Sequence, residues 1–237
     1  MTIRVSDRQA SEPFYDTVLS VLGIEKKDSE QYPEWGDFSV SAATAEKPLT
    51  RRLHIAFGAD SRARVDQFWQ AGIESGYRDD GAPGPRPEYG SDYYGAFLLD
   101  PDGNSVEAVH HEGVRPGDIQ HLWLRVADVD ESRRFYELVA QHAGYRFNKV
   151  VDGDPRRAQF VGGGSFSVVA GTPTENVHLA FPAPDNATVD RFHESLTAAG
   201  YRDNGAPGER SIYHPGYYGA FVLDPDGNNV ELVNHNR

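Results

Sequence analysis

Apolar residues along this chain alternate between helical spacing and strand spacing in a recurring order. Over about residues 9–22 they recur every three or four positions, which predicts a helix that Gly23 ends. Strands are predicted on either side of that helix, at Thr2–Val5 and Asp37–Ala43. Because the order of strand, helix and further strands then recurs along the chain, four such units are expected.

The other predicted elements follow the same spacing rules. Two Gly- and Pro-rich stretches, GYRDDGAPGPRPEYG and GYRDNGAPGERSIYHPG, are predicted as long ordered loops rather than strands. Further helices are predicted over about residues 63–74, 131–142 and 188–199, and strands over 53–57, 93–99, 105–109, 120–126, 146–151, 159–161, 165–170, 176–181, 217–223 and 229–233.

An internal repeat explains the recurring order. Residues 52–111 align with residues 176–235 at a constant offset, with 33 identities in 60 positions and no gap. A repeat of this quality indicates two copies of one structural unit. We therefore predict an α+β fold made by tandem duplication, with two βαβββ units in each half. The predicted domains are residues 1–112 and 118–237, joined by the polar linker EGVRPG.

Composition and charge narrow the class of protein. Only 38% of the residues are hydrophobic, no apolar run approaches the ~18 residues of a membrane helix, and no secretion signal is visible, so a cytoplasmic location is expected. Without cysteine, the chain has only histidine and carboxylate side chains as strong metal ligands. The net charge of −13 argues against nucleic acid and anionic membranes as partners. A neutral, cationic or metal-chelated small molecule is the expected partner.

Three polar residues stand opposite the apolar positions of their predicted strands. Glu231 follows Val230 and precedes Leu232, so its side chain points away from both. His121 and His178 are placed in the same way on the strands at 120–126 and 176–181. Two imidazoles and one carboxylate are the ligands of a facial metal triad. We predict that the three residues bind one divalent ion; the alternative is that each histidine is a hydrogen-bonded structural residue.

These residues and their order resemble the vicinal oxygen chelate superfamily, which includes glyoxalase I, bleomycin-resistance proteins and extradiol dioxygenases. The resemblance covers essentially the whole chain and is carried by the fourfold unit order, the two DPDGNxVE endings at Asp100–Glu107 and Asp224–Glu231, and the strand histidines. It implies that each half is a cup-shaped mixed β-sheet with helices outside and a divalent metal at its floor. Carried onto this chain, the ligands are His121, His178 and Glu231. Fe²⁺ is the favoured ion, with Zn²⁺, Ni²⁺, Mn²⁺ or Co²⁺ as alternatives.

The first half is expected to hold an incomplete site. His54 and Glu107 match His178 and Glu231 by the repeat, but the position that matches His121 would precede Met1. Two explanations are open. Either the natural start lies upstream and carries the missing ligand, or this half is a degenerate structural copy, like the metal-free amino-terminal domain of extradiol dioxygenases.

The chain departs from its relatives at two places. Glyoxalase I uses a further acid on the last strand of the first unit of its site, and Ser165–Ala170 has none. Extradiol dioxygenases carry a histidine and then a tyrosine ahead of the acidic-Pro turn; here His214 stands at about the first position and Phe221 replaces the tyrosine. His214 is the candidate acid–base catalyst, with a solvated loop residue as the alternative. The candidate substrate-binding residues, each also explicable by packing, are Trp123, Arg125, Tyr217 and Phe221.

From these observations we predict a metal-dependent enzyme that acts on a small metal-chelating substrate. Dioxygenase-like oxidation is placed first, and glyoxalase-like isomerase or lyase chemistry second. The alternative from another class is a bleomycin-resistance-type protein that binds and sequesters a drug without catalysis. The protein is expected to be a monomer or a homodimer.

Overall fold

The structure, a computed structural model, describes residues 1–28 and 33–236 and confirms the predicted α+β fold built from repeated βαβββ units. Within these ranges the strands form two eight-stranded mixed sheets, accompanied by four helices. In chain order the elements are β1 (Thr2–Val5), α1 (Arg8–Val21), β2 (Lys26–Asp28), β3 (Pro33–Trp35), β4 (Phe38–Ala42), β5 (His54–Gly58), α2 (Arg62–Glu74), β6 (Arg78–Pro85), β7 (Tyr94–Leu99), β8 (Ser105–His110), β9 (Ile119–Val126), α3 (Val129–Ala143), β10 (Arg146–Val151), β11 (Arg157–Val161), β12 (Ser165–Ala170), β13 (His178–Pro182), α4 (Asn186–Ala198), β14 (Asp203–Glu209), β15 (Tyr218–Leu223) and β16 (Asn229–Asn234).

The chain divides into two compact units. The amino-terminal unit is Thr2–Trp123, and the carboxy-terminal unit is Leu124–Arg237 together with Met1, so the division falls within β9. In the amino-terminal unit, β4 pairs with β1 in parallel and with β3 antiparallel. In the same unit β5 is parallel to β8 and antiparallel to the first part of β9. The predicted domain limits at residues 112 and 118 stay a prediction.

The carboxy-terminal unit repeats the same strand order. Strands β10, β11 and β12 form an antiparallel run, and β13 is parallel to β16. Strand β15 then pairs antiparallel with both β16 and β14. Each parallel pair, β5 with β8 and β13 with β16, therefore starts and ends one βαβββ unit, with its helix in the crossover.

In each of the two compact units, the first helix packs its apolar side on the sheet and anchors a turn. Helix α1 begins after Asp7, whose side chain accepts a hydrogen bond from the Gln9 backbone, and buries Phe14 and Tyr15. The Tyr15 hydroxyl donates to the buried carboxylate of Asp100 at 2.8 Å, in the Asp-Pro-Asp-Gly-Asn turn between β7 and β8. Tyr136 of α3 makes the equivalent bond to Asp224 at 3.0 Å. Each turn is thereby tied to the first helix of the same compact unit.

None of the helices in the described ranges has the length and apolarity needed to cross a membrane.

The two Gly- and Pro-rich stretches were predicted as loops, and that prediction is wrong: they contain strands β6 and β14. In β6 the pairing with β7 shifts between Asp79 and Gly81 and again between Gly81 and Gly84. The residues between the paired positions are bulged, so Pro83 needs no ladder hydrogen bond. Glycine is required at Gly81, because a Cβ there would approach the Phe97 ring to 2.9 Å. Composition typical of a loop is thus compatible with a strongly bulged strand.

Candidate metal centre

Three strands of the amino-terminal unit bring two histidines and one glutamate onto one face of the sheet. Ala56, in the middle of β5, is paired with Glu107 on β8 and with His121 on β9. Paired residues on neighbouring strands point to the same face, and His54, two residues before Ala56, shares that face. The methyl group of Ala56 leaves room above it, so the side chains of Glu107 and His121 meet beside His54.

The three side chains present donor atoms at the spacing of metal ligands. His54 Nε2 lies 3.0 Å from Glu107 Oε2 and 3.3 Å from His121 Nε2, and His121 Nε2 lies 3.3 Å from Glu107 Oε2. Among the described residues, these three form the group of histidine and acidic side chains whose ligand atoms lie close enough together to hold one ion. Donors at ~2.1 Å from a common ion stand roughly 3.0–3.4 Å apart at angles between perpendicular and tetrahedral. The observed spacing therefore fits one divalent ion.

The hydrogen bonds on the outer nitrogens fix which nitrogen of each imidazole is available. Ser105 Oγ donates to Asp80 Oδ2 at 2.7 Å, so it accepts from His54 Nδ1 at 3.1 Å. His121 Nδ1 donates to the amide oxygen of Gln120 at 2.9 Å. When both rings are neutral, the three atoms that face one another all carry lone pairs and no proton. Such a cluster calls for a cation among its members, either a metal ion or a proton held between a ring nitrogen and the carboxylate.

Gln120 is itself held in the orientation that this contact requires. Its amide nitrogen lies 3.0 Å from His111 Nε2, while His111 Nδ1 donates to the backbone carbonyl of Glu112 at 2.8 Å. His111 Nε2 must then accept from the amide nitrogen, which leaves the amide oxygen to face His121. A fixed partner on the far nitrogen is the usual support of a metal-binding histidine.

The glutamate is almost completely buried, with 1% of its side chain exposed, compared with 14% for His54 and 10% for His121. The Tyr93 hydroxyl donates to its second oxygen, Oε1, at 2.7 Å. Burial alone would raise the pKa of Glu107, but the hydrogen bonds and charges of His121 and His54 lower that pKa to about 2. Burial lowers the pKa of His54, although Glu107 opposes this. At neutral pH the site thus combines an ionised carboxylate with a neutral His54.

The predicted grouping of the metal ligands is corrected by this arrangement. His121 was predicted to join His178 and Glu231, and the first half was predicted to be incomplete. Instead, β9 pairs with β5, so His121 completes the set begun by His54 and Glu107. A single imidazole nitrogen that already faces those two residues cannot also serve another ion. The amino-terminal unit, which contains the first copy of the repeat, therefore has three candidate ligands, and the second copy has the pair His178 and Glu231.

The pair in the carboxy-terminal unit copies part of the first site. His178 Nε2 lies 2.8 Å from Glu231 Oε2, and the Tyr217 hydroxyl donates to Glu231 Oε1 at 2.6 Å. His214 lies beside this pair, with its ring edge-on to Tyr217 and its Nε2 3.0 Å from His235 Nδ1. The structure thus groups His214 with the two-residue site and not with the three-residue site.

The remaining predicted binding residues divide between the two sites. The Trp123 ring centre lies 5.6 Å from that of His54, at the edge of the three-residue site. The Phe221 ring lies 6.2 Å from His178, and Tyr217 contacts Glu231, so both belong with the two-residue pair. Arg125 is exposed and its side chain lies against Gly171, in the carboxy-terminal unit.

Several residues that support the three-residue site were not predicted from the sequence. They are Ala56, Asp80, Ser105, His111 and Gln120. A signal existed for two of them: within the nearly identical stretches of the repeat, Asp80 stands against Asn204 and Ser105 against Asn229. For the others the strand register was needed.

Comparison with known proteins agrees with this fold. The model of the Glyoxalase/Bleomycin resistance protein/Dioxygenase superfamily matches residues 118–232. The uncharacterized protein YqjT of Bacillus subtilis (strain 168) is 30% identical over 129 residues, which cover 48% of this chain and 97% of YqjT. The chain belongs to the Glyoxalase/Bleomycin resistance protein/Dioxygenase superfamily.

A solved structure shares the fold over nearly the full length. Glyoxalase I from Zea mays superimposes with a TM-score of 0.71 at 19% identity, covering 99% of this chain and 91% of the maize protein. At that identity the similarity concerns the fold alone. It confirms the duplicated arrangement of βαβββ units.

Proposed function

We propose that this protein is a metal-dependent enzyme whose divalent ion is held by His54, Glu107 and His121. One observation carries the proposal: three lone-pair donors face one another at 3.0–3.3 Å, and each is oriented by a hydrogen bond on its far side. With both rings neutral, no hydrogen lies between these atoms, and a metal ion would satisfy all three lone pairs. The substrate is then a small molecule that chelates the ion through two oxygens.

When bound, a divalent ion supplies Lewis acidity and a template for the chelating substrate and, as Fe²⁺, redox chemistry with O₂. The chain's own residues would bind the ion and orient its ligands. Tyr93 holds the carboxylate of Glu107 so that one oxygen faces the ion. Its burial and the neighbouring Glu107 raise the pKa of Tyr93, which keeps the hydroxyl protonated as a donor.

Aromatic rings border the site and favour a flat substrate. Trp123 is paired with His54 across the sheet, and Phe97 is paired with Glu107 on the other side, so the two rings stand at opposite edges. The Tyr89 ring meets that of Trp123 edge-on at 5.7 Å. Such rings exclude water from the donors and stack on planar ligands. Trp123 is the predicted substrate-binding residue that this proposal retains.

The ligand count favours oxidation over isomerisation. Two histidines and one carboxylate leave coordination positions open, as in non-haem Fe²⁺ oxygenases. Glyoxalase I uses a further acidic ligand, whereas among the described residues the group that could hold one ion consists of these three side chains. We therefore place dioxygenase-like oxidation of a catechol-type substrate first. His214, the candidate acid–base catalyst predicted from the sequence, has Gly90 as its counterpart in this copy and takes no part here.

The test is oxygen uptake by protein loaded with Fe²⁺ in the absence of oxygen. Catechol-type substrates are added, O₂ is admitted and its consumption is followed. Glu107→Gln keeps the size of the side chain but removes its charge, so we expect it to abolish uptake. Glu231→Gln makes the same change in the second copy and is expected to leave uptake intact. Circular dichroism confirms that both variants are folded.

Uptake that persists in Glu107→Gln contradicts the proposal. If no uptake occurs but Ni²⁺- or Zn²⁺-loaded protein converts the thiol adduct of an α-ketoaldehyde, the site is an isomerase. If neither activity is found and an aromatic cationic drug binds tightly even to His54→Ala, the protein is a sequestering protein. The net charge of −13 is the observation that favours a cationic drug in that case.

A further inference from the structure

We infer that Asp80 and Ser105 are positioning residues that hold His54 as a metal ligand and strengthen its bond to the ion. The inference rests on the proposed metal centre. It assigns a role to an exposed acid that is distant in sequence from every ligand, and it explains the main chemical difference between the two copies near their histidines.

The geometry forms a chain of two hydrogen bonds that ends on His54. Ser105 is the residue of β8 paired with His54 on β5, and its Oγ lies 3.1 Å from His54 Nδ1. Ser105 Oγ donates to Asp80 Oδ2 at 2.7 Å. A carboxylate can only accept, so the hydroxyl hydrogen points to Asp80 and its lone pairs point to His54. The ring must donate from Nδ1, which directs the Nε2 lone pair to the metal position.

A bulge in β6 places Asp80 where it can make this contact. The pairing of β6 with β7 passes from Asp79 to Gly81, which leaves Asp80 as the extra residue. Bulges redirect side chains and are frequent beside active sites. Asp80 is exposed, so its carboxylate is not held there by core packing. Its contact with Ser105 is the interaction that the bulge provides.

The second copy keeps the bulge and changes the chemistry. Between Gly76 and Gly84 the two copies differ at a single position, where Asp80 corresponds to Asn204. Ser105 corresponds to Asn229, and Asn204 Nδ2 donates to Asn229 Oδ1 at 2.8 Å. A neutral amide pair thus replaces the carboxylate and hydroxyl in the copy that has two candidate ligands. The acid and the hydroxyl accompany the complete ligand set.

We call the chain of hydrogen bonds from Asp80 through Ser105 to His54 the relay, and two effects on the ion follow from it. A fixed Nδ1–H donor keeps the His54 ring in one tautomer and one orientation, so less ordering is needed when the ion binds. The carboxylate at the end of the chain makes the imidazole a more basic ligand. Because Asp80 is exposed, water screens its charge, and Ser105 is expected to matter more than Asp80.

The test measures Co²⁺ binding to the full chain, with Co²⁺ absorption bands as a signature of the ligand set. Ser105→Ala is expected to weaken binding by about 10–100-fold and to shift the bands, since supporting residues have effects of that size. Asp80→Ala is expected to weaken it less, by up to about tenfold. Ser105→Thr retains the hydroxyl and is expected to restore both affinity and spectrum.

The matched control is Asn204→Ala, which removes the side chain at the same bulge of the second copy. It is expected to leave Co²⁺ affinity and spectrum unchanged. A general effect on folding would instead appear in both Asp80→Ala and Asn204→Ala. Wild-type affinity and bands in Ser105→Ala and Asp80→Ala would overturn the relay while leaving the metal centre intact. If the unmodified chain itself binds no Co²⁺, the metal-centre proposal and the relay both fail.

Discussion

Ala56 decides whether side chains from β8 and β9 can meet across the strand between them. It is completely buried and is paired with Glu107 on one side and His121 on the other. A branched residue at this position would occupy the space in which the donor atoms converge. Its counterpart in the second copy, Ala180, is paired with Glu231 and is exposed. One small residue is thus as important for this site as the ligands.

Ala56→Val is therefore expected to weaken Co²⁺ binding by roughly 10–100-fold, because the added methyl groups displace Glu107 or His121. Overpacking at a buried position should also lower the free energy of unfolding by about 1–3 kcal/mol. Titration of the folded variant with Co²⁺ measures the first effect, and urea unfolding measures the second. Ala180→Val is the control and should change neither by as much. Unaltered affinity in Ala56→Val would show that the donors do not converge over this residue.

At the scale of elements, the close pairing of β7 with β8 holds the carboxylate in place. Gly95 of β7 lies under Glu107, and a Cβ at Gly95 would approach Glu107 Oε1 to 2.6 Å. Tyr93, at the start of the same hairpin, donates to that oxygen at 2.7 Å. The hairpin thereby fixes one oxygen so that the other faces the histidines. The same arrangement recurs in the second copy, where a Cβ at Gly219 would approach Glu231 Oε1 to 2.7 Å.

Gly95→Ala should push the Glu107 carboxylate out of its position and weaken metal binding. Gly219→Ala imposes the same steric conflict on Glu231, so both variants are expected to lose similar stability, about 1–3 kcal/mol. Comparison of the two variants therefore separates an effect on stability from an effect on metal binding. Isothermal titration with Zn²⁺ should show weakened binding for Gly95→Ala and normal binding for Gly219→Ala. Equal affinities in the two variants would contradict the assignment of Glu107 as a ligand.

For the whole molecule, the duplication has produced two unequal copies of one site. The amino-terminal unit has three candidate ligands with oriented partners, and the carboxy-terminal unit has His178 with Glu231. An ion bound by two protein ligands is held much more weakly than one bound by three. His214 contacts Tyr217 beside the second pair, and because its counterpart in the first site is Gly90, it gives the second pair a different chemical character.

We therefore expect one tightly bound ion per chain. Metal analysis after dialysis against Zn²⁺-containing buffer and then metal-free buffer should give one equivalent for the unmodified chain. His54→Ala should lose that equivalent, and His178→Ala should retain it. Two equivalents would show that both copies bind an ion tightly, and loss in His178→Ala alone would show that the second copy is the binding site.

The repeat and the alternation of apolar residues were sufficient to predict the four βαβββ units and the face on which the histidines lie. Alternation reports which side of a strand is packed, and that is a local property. For this reason Thr2–Val5, Arg146–Val151 and Ser165–Ala170 were predicted with the bounds observed in the structure. The same property marked His121, His178 and Glu231 as polar residues on faces opposite apolar ones, and the repeat added His54 and Glu107.

Which strands become neighbours was decided only by the tertiary structure. His54 and His121 are 67 positions apart, and nothing in the spacing of β9 indicates that it pairs with β5. The choice of partner and register depends on the packing of whole strands, which no local pattern contains. The bulge at Asp80 is a second example, because Gly and Pro are compatible with both a loop and a bulged strand. Hence the sequence by itself determined the kinds of candidate ligand and their faces, while the register of three strands determined which of them lie close enough to share one ion.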